Sequence, residues 1–154
     1  MNIQERIEAL ETEFNEKIKA LKAEVQREDE FPQFGDDYWY VDSDTDVMDT
    51  ASYDGEYDRG RLSIGNVFKT KEQAEFAVEK LKVEAELRKH SRPFEYGKFN
   101  YYLFFDIDGN SIITDFTSYC PPQGAIYFES EEKAQQAIKS VGIDRIKKYL
   151  FGVE

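Results

Sequence analysis

The chain repeats itself once, weakly, at an offset of 60 residues, and a repeat of that kind limits the folds open to it. Val67 to Val78 align with Tyr127 to Ile138, matching Phe68 with Phe128, Thr70 with Ser130, Glu72 with Glu132, Ala74 with Ala134 and Ala77 with Ala137. Each half reads as an aromatic strand, a hydroxyl cap and a helix. Thr70 and Ser130 are natural N-caps, because a side-chain oxygen there accepts from a free amide one turn in, and Glu72 and Glu132 fall where the helix dipole favours an anion. Upstream, Tyr38 to Asp42 resemble Tyr102 to Asp106 in character at an offset of 64, both being aromatic strands that end in an Asp-rich turn.

The second half is the easier to parse. Strands are predicted near Asn100 to Asp106, Ser111 to Tyr119 and Ala125 to Phe128, with Asp108-Gly109 as the hairpin turn. A helix follows from Glu131 to Val141, stops at Gly142, and a short closing helix, Ile143 to Phe151, ends at Gly152. The first half has a longer helix, Lys71 to Lys89, stopped by Ser91-Arg92-Pro93. The expectation is an α+β fold, with an antiparallel sheet of about five or six strands (two weakly repeated β-β-β-α units) and helices mainly on one face.

Ahead of the repeat, Ile3, Ile7, Leu10, Phe14, Ile18, Leu21 and Val25 are spaced by 4, 3, 4, 4, 3 and 4, one apolar stripe on a helix. The mean step, about 3.67, is nearer an 11-residue than a 7-residue repeat. Such a helix needs a cover, either the domain itself or a second chain in a coiled-coil homo-oligomer. Residues 1–30 are therefore expected as a helical arm and 36–154 as the α+β domain, with copies at about 36–92 and 98–154; the segment through Phe31-Pro32-Gln33-Phe34-Gly35 is the linker.

Charge is distributed unevenly. Of 32 acidic and 20 basic residues, residues 31–58 hold nine acids and no base, whereas 59–154 hold fourteen acids and fifteen bases. The nine are Asp36, Asp37, Asp42, Asp44, Asp46, Asp49, Asp54, Glu56 and Asp58, interleaved with Tyr38, Trp39, Tyr40, Tyr53 and Tyr57. A negative field of this density repels nucleic acid and attracts basic surfaces, so direct nucleic-acid binding is not expected despite the aromatic strands. Carboxylates in such an array stand in for phosphates, and the fourteen residues of this segment form the predicted protein-binding surface, a DNA mimic.

Chemistry-bearing residues are few. No apolar run reaches the roughly 18 residues of a membrane span, and MNIQERIEAL is too charged for a signal peptide, so a cytoplasmic protein is expected, with no membrane partner. Asp42-Ser43-Asp44-Thr45-Asp46 has the alternate-oxygen spacing that opens a calcium loop, but Val47 stands where the loop wants Gly and Tyr53 where it wants a bidentate Glu. Turn chemistry accounts for it, and for Asp106 to Asn110. His90 is explained by the end of its helix, and Cys120, beside Pro121-Pro122, has no second His or Cys to activate it. The pairs Asp36/Asp37, Glu131/Glu132 and Asp42/Asp44 are too numerous to single out one acid and base. Neither catalytic residues nor a metal or cofactor are expected. A pocket on the sheet face, lined by Tyr101, Phe105 and Tyr127, is the remaining place for a small ligand.

The string Gly65-Asn66-Val67-Phe68-Lys69-Thr70-Lys71-Glu72-Gln73-Ala74-Glu75, followed by Val83-Glu84-Ala85-Glu86-Leu87-Arg88, resembles a widespread group of small acidic proteins of Gram-positive bacteriophages and prophages. The order is similar too: a charged N-terminal helix, an acidic aromatic segment, this strand-to-helix motif, and an aromatic hairpin with an ending like Asp144 to Tyr149. The motif is structural and brings no catalytic residue. What the resemblance implies is a phage setting, where small acidic accessory proteins are often inhibitors of host defence of the anti-CRISPR or anti-restriction kind. The leading expectation is thus a non-enzymatic anti-defence inhibitor in the host cytoplasm, whose partner is a basic host protein such as a nuclease. The other is an oligomeric phage assembly protein with no defence target.

Overall fold

In the computed structural model, which describes residues 2–50 and 53–153 (backbone alone at 26–29), the apolar steps of the N-terminal segment become helix α1, Ile3–Asp29. Its start is closed reciprocally: the Glu5 amide donates to Asn2 Oδ1 at 2.9 Å and the Asn2 amide to Glu5 Oε2 at 2.7 Å. This is the geometry by which two orphan donors of a first turn are satisfied together. Farther along, Lys17 donates to Glu13 one turn back at 2.6 Å.

The remaining elements confirm the α+β class. Strands β1 (Tyr38–Val41) and β2 (Val47–Thr50) form one antiparallel hairpin, with Tyr38 opposite Thr50 and Val41 opposite Val47. Helices α2 (Glu56–Ser63) and α3 (Lys71–Arg88) follow. Strands β3 (Asn100–Asp106) and β4 (Ser111–Thr117) form a second hairpin, in register from Asn100 opposite Thr117 to Asp106 opposite Ser111. The chain closes with α4 (Glu131–Val141), α5 (Ile143–Arg145) and a π-helical turn at Ile146–Leu150.

The expected single sheet of five or six strands is replaced by two separate two-stranded sheets. In each half the third strand shrinks to isolated bridges, Trp39 with Phe68 in the first, Tyr101 with Phe128 and Arg92 with Tyr127 in the second. The cause is local. Only Lys69 separates Phe68 from the cap Thr70, and only Glu129 separates Phe128 from the cap Ser130, so the backbone turns helical before a ladder extends. Both caps act as the sequence predicts, Thr70 Oγ1 accepting from the Gln73 amide at 3.3 Å and Ser130 Oγ from the Lys133 amide at 3.2 Å. The bridges also correct the upstream alignment: Trp39 corresponds to Tyr101, an offset of 62.

Two compact units result, residues 1–74 and 75–154, with the division running through the start of α3. The reason lies in α3, whose Val83 and Leu87 join Phe128, Ala134, Ala137, Ile138, Val141 and Ile146 in the core of the second unit. A fully buried Leu or Ile of this kind stabilises by about 2 kcal/mol relative to exposure. Alanines at 134 and 137 let the α4 backbone approach closely. At the tip of the second hairpin Asp106 Oδ2 accepts from the Gly109 amide at 3.2 Å, and a Cβ on Gly109 would lie 2.5 Å from that oxygen, so a side chain there would push the Asp106 carboxylate off this amide.

One polar side chain sits fully inside this unit. Asn100 Oδ1 accepts from the Glu95 amide and from Arg92 Nη1, both at 2.8 Å, and its Nδ2 faces the carbonyls of Glu95, Lys98 and Thr117 at 2.8 to 3.0 Å. Asn100 thereby pins the loop after α3 to the start of β3 and the end of β4. Asn100→Ala orphans these groups and should lower unfolding free energy by about 3 kcal/mol in urea titration. Ile107→Ala, at an exposed turn position, should stay within about 0.5 kcal/mol.

Candidate partner-binding surface

The acidic segment is built around a polar triad of two buried side chains and one half-buried arginine. Tyr38 opens β1 with its ring only 1% exposed, set edge-on to Tyr53 and tilted against Tyr40, each at 6.1 Å between centroids. Its hydroxyl donates to Asp58 Oδ1. Asp58 lies in the first turn of α2, where Oδ2 accepts from the amides of Gly55 at 2.8 Å and Asp54 at 3.1 Å. One turn on, Arg61 donates from Nη1 to the Tyr38 hydroxyl oxygen at 2.9 Å and stacks over the Tyr40 ring at 3.7 Å.

These contacts set the ionisation of the triad. The Tyr38 hydroxyl, followed by burial acting in the opposite sense and the Gly55 and Asp54 amides, holds the Asp58 carboxyl below the usual carboxylate range. Burial, reinforced by the Asp58 carboxylate, pushes the Tyr38 phenol above its ordinary value. A neutral phenol donating to an ionised carboxylate is the state that suits both. Tyr38 and Asp58, expected on the binding surface, are therefore interior structural groups. Asp36 is also partly engaged, accepting from the Gln33 amide at 2.8 Å.

The rest of the segment faces outward. Asp42, Asp44, Asp46, Asp49, Asp54 and Glu56 are among its exposed side chains, with Tyr57 87% exposed and Tyr40 and Tyr53 half-buried. The connection between β1 and β2 is a tight turn: the Asp42 amide donates to the Asp46 carbonyl at 2.8 Å, the Thr45 amide to the Asp42 carbonyl at 3.0 Å, and the Ser43 amide to Asp42 Oδ1 at 2.7 Å. Asp42 thus turns its carboxylate to its own loop. Among the described residues no group of three His, Cys, Asp or Glu side chains is placed to hold a metal ion. The hairpin is anchored beneath by Asn66, whose side chain accepts from the Val41 amide at 2.7 Å and donates to the Val41 carbonyl at 2.8 Å.

Helix α1 keeps its stripe uncovered: Ile3, Ile7, Leu10, Phe14, Leu21 and Val25 are exposed and Ile18 is half-buried. In the second unit a cleft of about 310 Å³ opens beside β3, walled by Leu87, Tyr102, Phe104, Ile126, Leu150 and Phe151 among others. Tyr101, Phe105 and Tyr127, expected to line a pocket, are not in its wall. Tyr101 and Phe105 alternate with Tyr102 and Phe104 along β3, and Tyr127 packs on Phe94 and donates to the Pro122 carbonyl. Cys120 is an exposed free thiol, and His90 stands in the turn ending α3, its amide donating to the Leu87 carbonyl. Sequence reading also passes over an exposed aromatic face in this unit, where Tyr96 meets Tyr119 and Phe99 meets Phe116 edge-on at 5.1 and 4.8 Å. Its signal is the register that sets these loop and strand positions opposite one another.

No helix among the described residues is long and apolar enough to cross a membrane. No family model matches the chain, and comparison with curated proteins and with solved structures returns no match either.

The triad has a pH signature. Because the folded carboxyl of Asp58 titrates below its unfolded value of about 3.9, its stabilisation is complete above that value and is lost as pH falls through the lower folded one. Asp58→Asn removes the charge and should cost about 2 kcal/mol at neutral pH. The gap between variant and parent should narrow as pH falls through the lowered folded value of Asp58, which acid titration followed by Trp39 fluorescence measures.

Proposed function

We propose that the chain is a non-enzymatic accessory protein that binds and inhibits a host protein with a basic, nucleic-acid-handling groove, a defence nuclease being the class that the phage resemblance favours. The observation that carries this reading is the separation within the acidic segment. Asp58 and Tyr38 hold the hairpin to α2 from inside, while the carboxylates of Asp44, Asp46, Asp49 and Glu56 remain exposed, in a stretch with no base. Exposed carboxylates that contribute little to folding can meet cations on a partner, where they occupy the positions of phosphates and speed encounter. Trp39, Tyr40 and Tyr57 border them and supply ring area, the kind of anchor that dominates interface energetics.

The test begins with a pull-down from a Gram-positive host lysate, identified by mass spectrometry. Recovery of a nuclease or other basic nucleic-acid-binding protein supports the reading, and recovery of the chain alone favours a phage assembly protein. Against a recovered partner, changing Asp42, Asp44, Asp46 and Asp49 together to Asn should weaken binding by about 2 kcal/mol at low salt while leaving the melting temperature unchanged. Affinity of the parent should fall steeply with added salt, since exposed charge pairs are screened over about 8 Å at physiological ionic strength. A quadruple variant that inhibits as well as the parent at physiological salt sinks the mimicry mechanism.

A further inference from the structure

The apolar stripe of α1 has a symmetry that its spacing alone does not require. Its steps of 4, 3, 4, 4, 3 and 4 read the same in both directions about Phe14, the central residue. Turned end over end about that residue, the helix meets a copy of itself with every apolar position in register: Ile3 beside Val25, Ile7 beside Leu21, Leu10 beside Ile18, and Phe14 beside Phe14. The stripe is open for such a contact, six of its seven residues being between 45% and 76% exposed. A spacing near 3.67 residues per turn also keeps the seam along a nearly straight helix, over about 33 Å from Ile3 to Val25.

Charge selects the occupant. Residues 3–16 hold five Glu and one Arg, and residues 17–25 hold three Lys and one Glu. Placing acids early and bases late suits the helix dipole, but the individual positions carry a further pattern. Arg6 and Glu24, Glu8 and Lys22, Glu11 and Lys19, and Glu13 and Lys17 are each symmetric about residue 15, and each pair is opposite in sign. At about 100° per residue, Arg6, Glu13, Lys17 and Glu24 fall on one flank of the stripe and Glu8, Glu11, Lys19 and Lys22 on the other. In an antiparallel pair related by a two-fold axis, each flank faces the same flank of the partner, so all four combinations meet across the seam. A centre displaced by one residue from Phe14 staggers each pair by two residues, about 3 Å along the axis, within reach of Glu, Lys and Arg side chains. A parallel pair stacks the acidic half on the acidic half.

We infer that α1 is a homodimerisation element, pairing antiparallel with α1 of a second copy of this chain about a two-fold axis at Phe14. Within one chain Glu13 and Lys17 already form a pair, at 2.6 Å with both side chains more than half exposed. In the dimer this pair and its symmetry mate lie on one flank at the dyad and join into a four-membered network beside the two Phe14 rings. The second copy completes a surface that the first leaves uncovered, and it does so whether or not the acidic hairpin binds a host protein.

Light scattering on the full chain comes first: at about 100 μM subunit the mass should be twice the 18.0 kDa of one chain. A mass of one chain at that concentration overturns the inference without any variant. Orientation is read in a Cys120→Ser background, with Ile7→Cys and Leu21→Cys made separately and one of them tagged. Antiparallel pairing gives a disulfide only when the two are mixed, whereas a disulfide formed by Ile7→Cys alone means a parallel seam and overturns it. The charge pattern is tested by Glu13→Lys and Lys17→Glu, each of which should weaken dimerisation about ten-fold. An equimolar mixture should restore it, because one copy then brings two lysines to the dyad and the other brings two glutamates, so that opposite charges meet at both crossings; no restoration removes the charge basis of the proposal.

Discussion

Two reciprocal pairs of backbone hydrogen bonds organise both halves of this protein. Trp39 and Phe68 exchange amide-to-carbonyl bonds at 2.8 Å in each direction, and Tyr101 and Phe128 do the same at 3.1 and 2.8 Å. Each exchange ties the first strand of a hairpin to the residue two positions ahead of a helix cap. In the second unit the start of α4 is thereby tied to its hairpin, and Phe128 is delivered, fully buried, among α3, α4 and Ile146. Ladder hydrogen bonds alone would not do this: a two-stranded hairpin is marginal by itself in water, and a third contact with a helix behind it gives it a face to bury.

Within the first unit the same economy appears in the use of charge. A segment with nine acids repels itself, and the structure offsets part of this by turning one acid inward, where the Gly55 and Asp54 amides, the Tyr38 hydroxyl and Arg61 surround it. Asp58 thus does for α2 what Glu5 does for α1, its carboxylate reaching back from the first turn to amides at the helix start. The outward carboxylates at the hairpin, those of Asp44, Asp46 and Asp49, stand in solvent instead, which is why charge on this face and stability of this face are separable quantities.

The parts of the fold that are legible from the residues are those governed by near neighbours. The stripe of α1, the caps Thr70 and Ser130, the turn at Asp108-Gly109 and the stop at Gly142 each follow from spacing over four residues or fewer. What depends on distant partners is hidden. Asp58 looks like eight other acids until Tyr38 is brought to it from 20 residues away, and helix α2 is obscured because its first-turn acids read as surface charge. Asn100 gives no sign in sequence that five backbone and side-chain groups converge on it. The third strands are overextended in a sequence reading because their aromatic character is real, but the cap that follows each one ends it before a ladder forms, leaving isolated bridges. The cleft beside β3 takes its wall from Tyr102, Leu103 and Phe104 in the middle of the strand, together with Leu150 and Phe151 from the end of the chain, a combination set by distant packing.

Trp39 is the single tryptophan of the chain, and it sits half-buried in β1, across from Asp49 and bridged to Phe68. Residues 75–154 carry none. Intrinsic emission excited at the red edge of the aromatic band therefore reports one unit only, while far-ultraviolet dichroism sums the helices of both. The protein comes with its own local optical probe, placed on the hairpin whose carboxylates face solvent. Comparing the two signals during unfolding distinguishes a molecule that melts as one cooperative body from one whose acidic hairpin opens first.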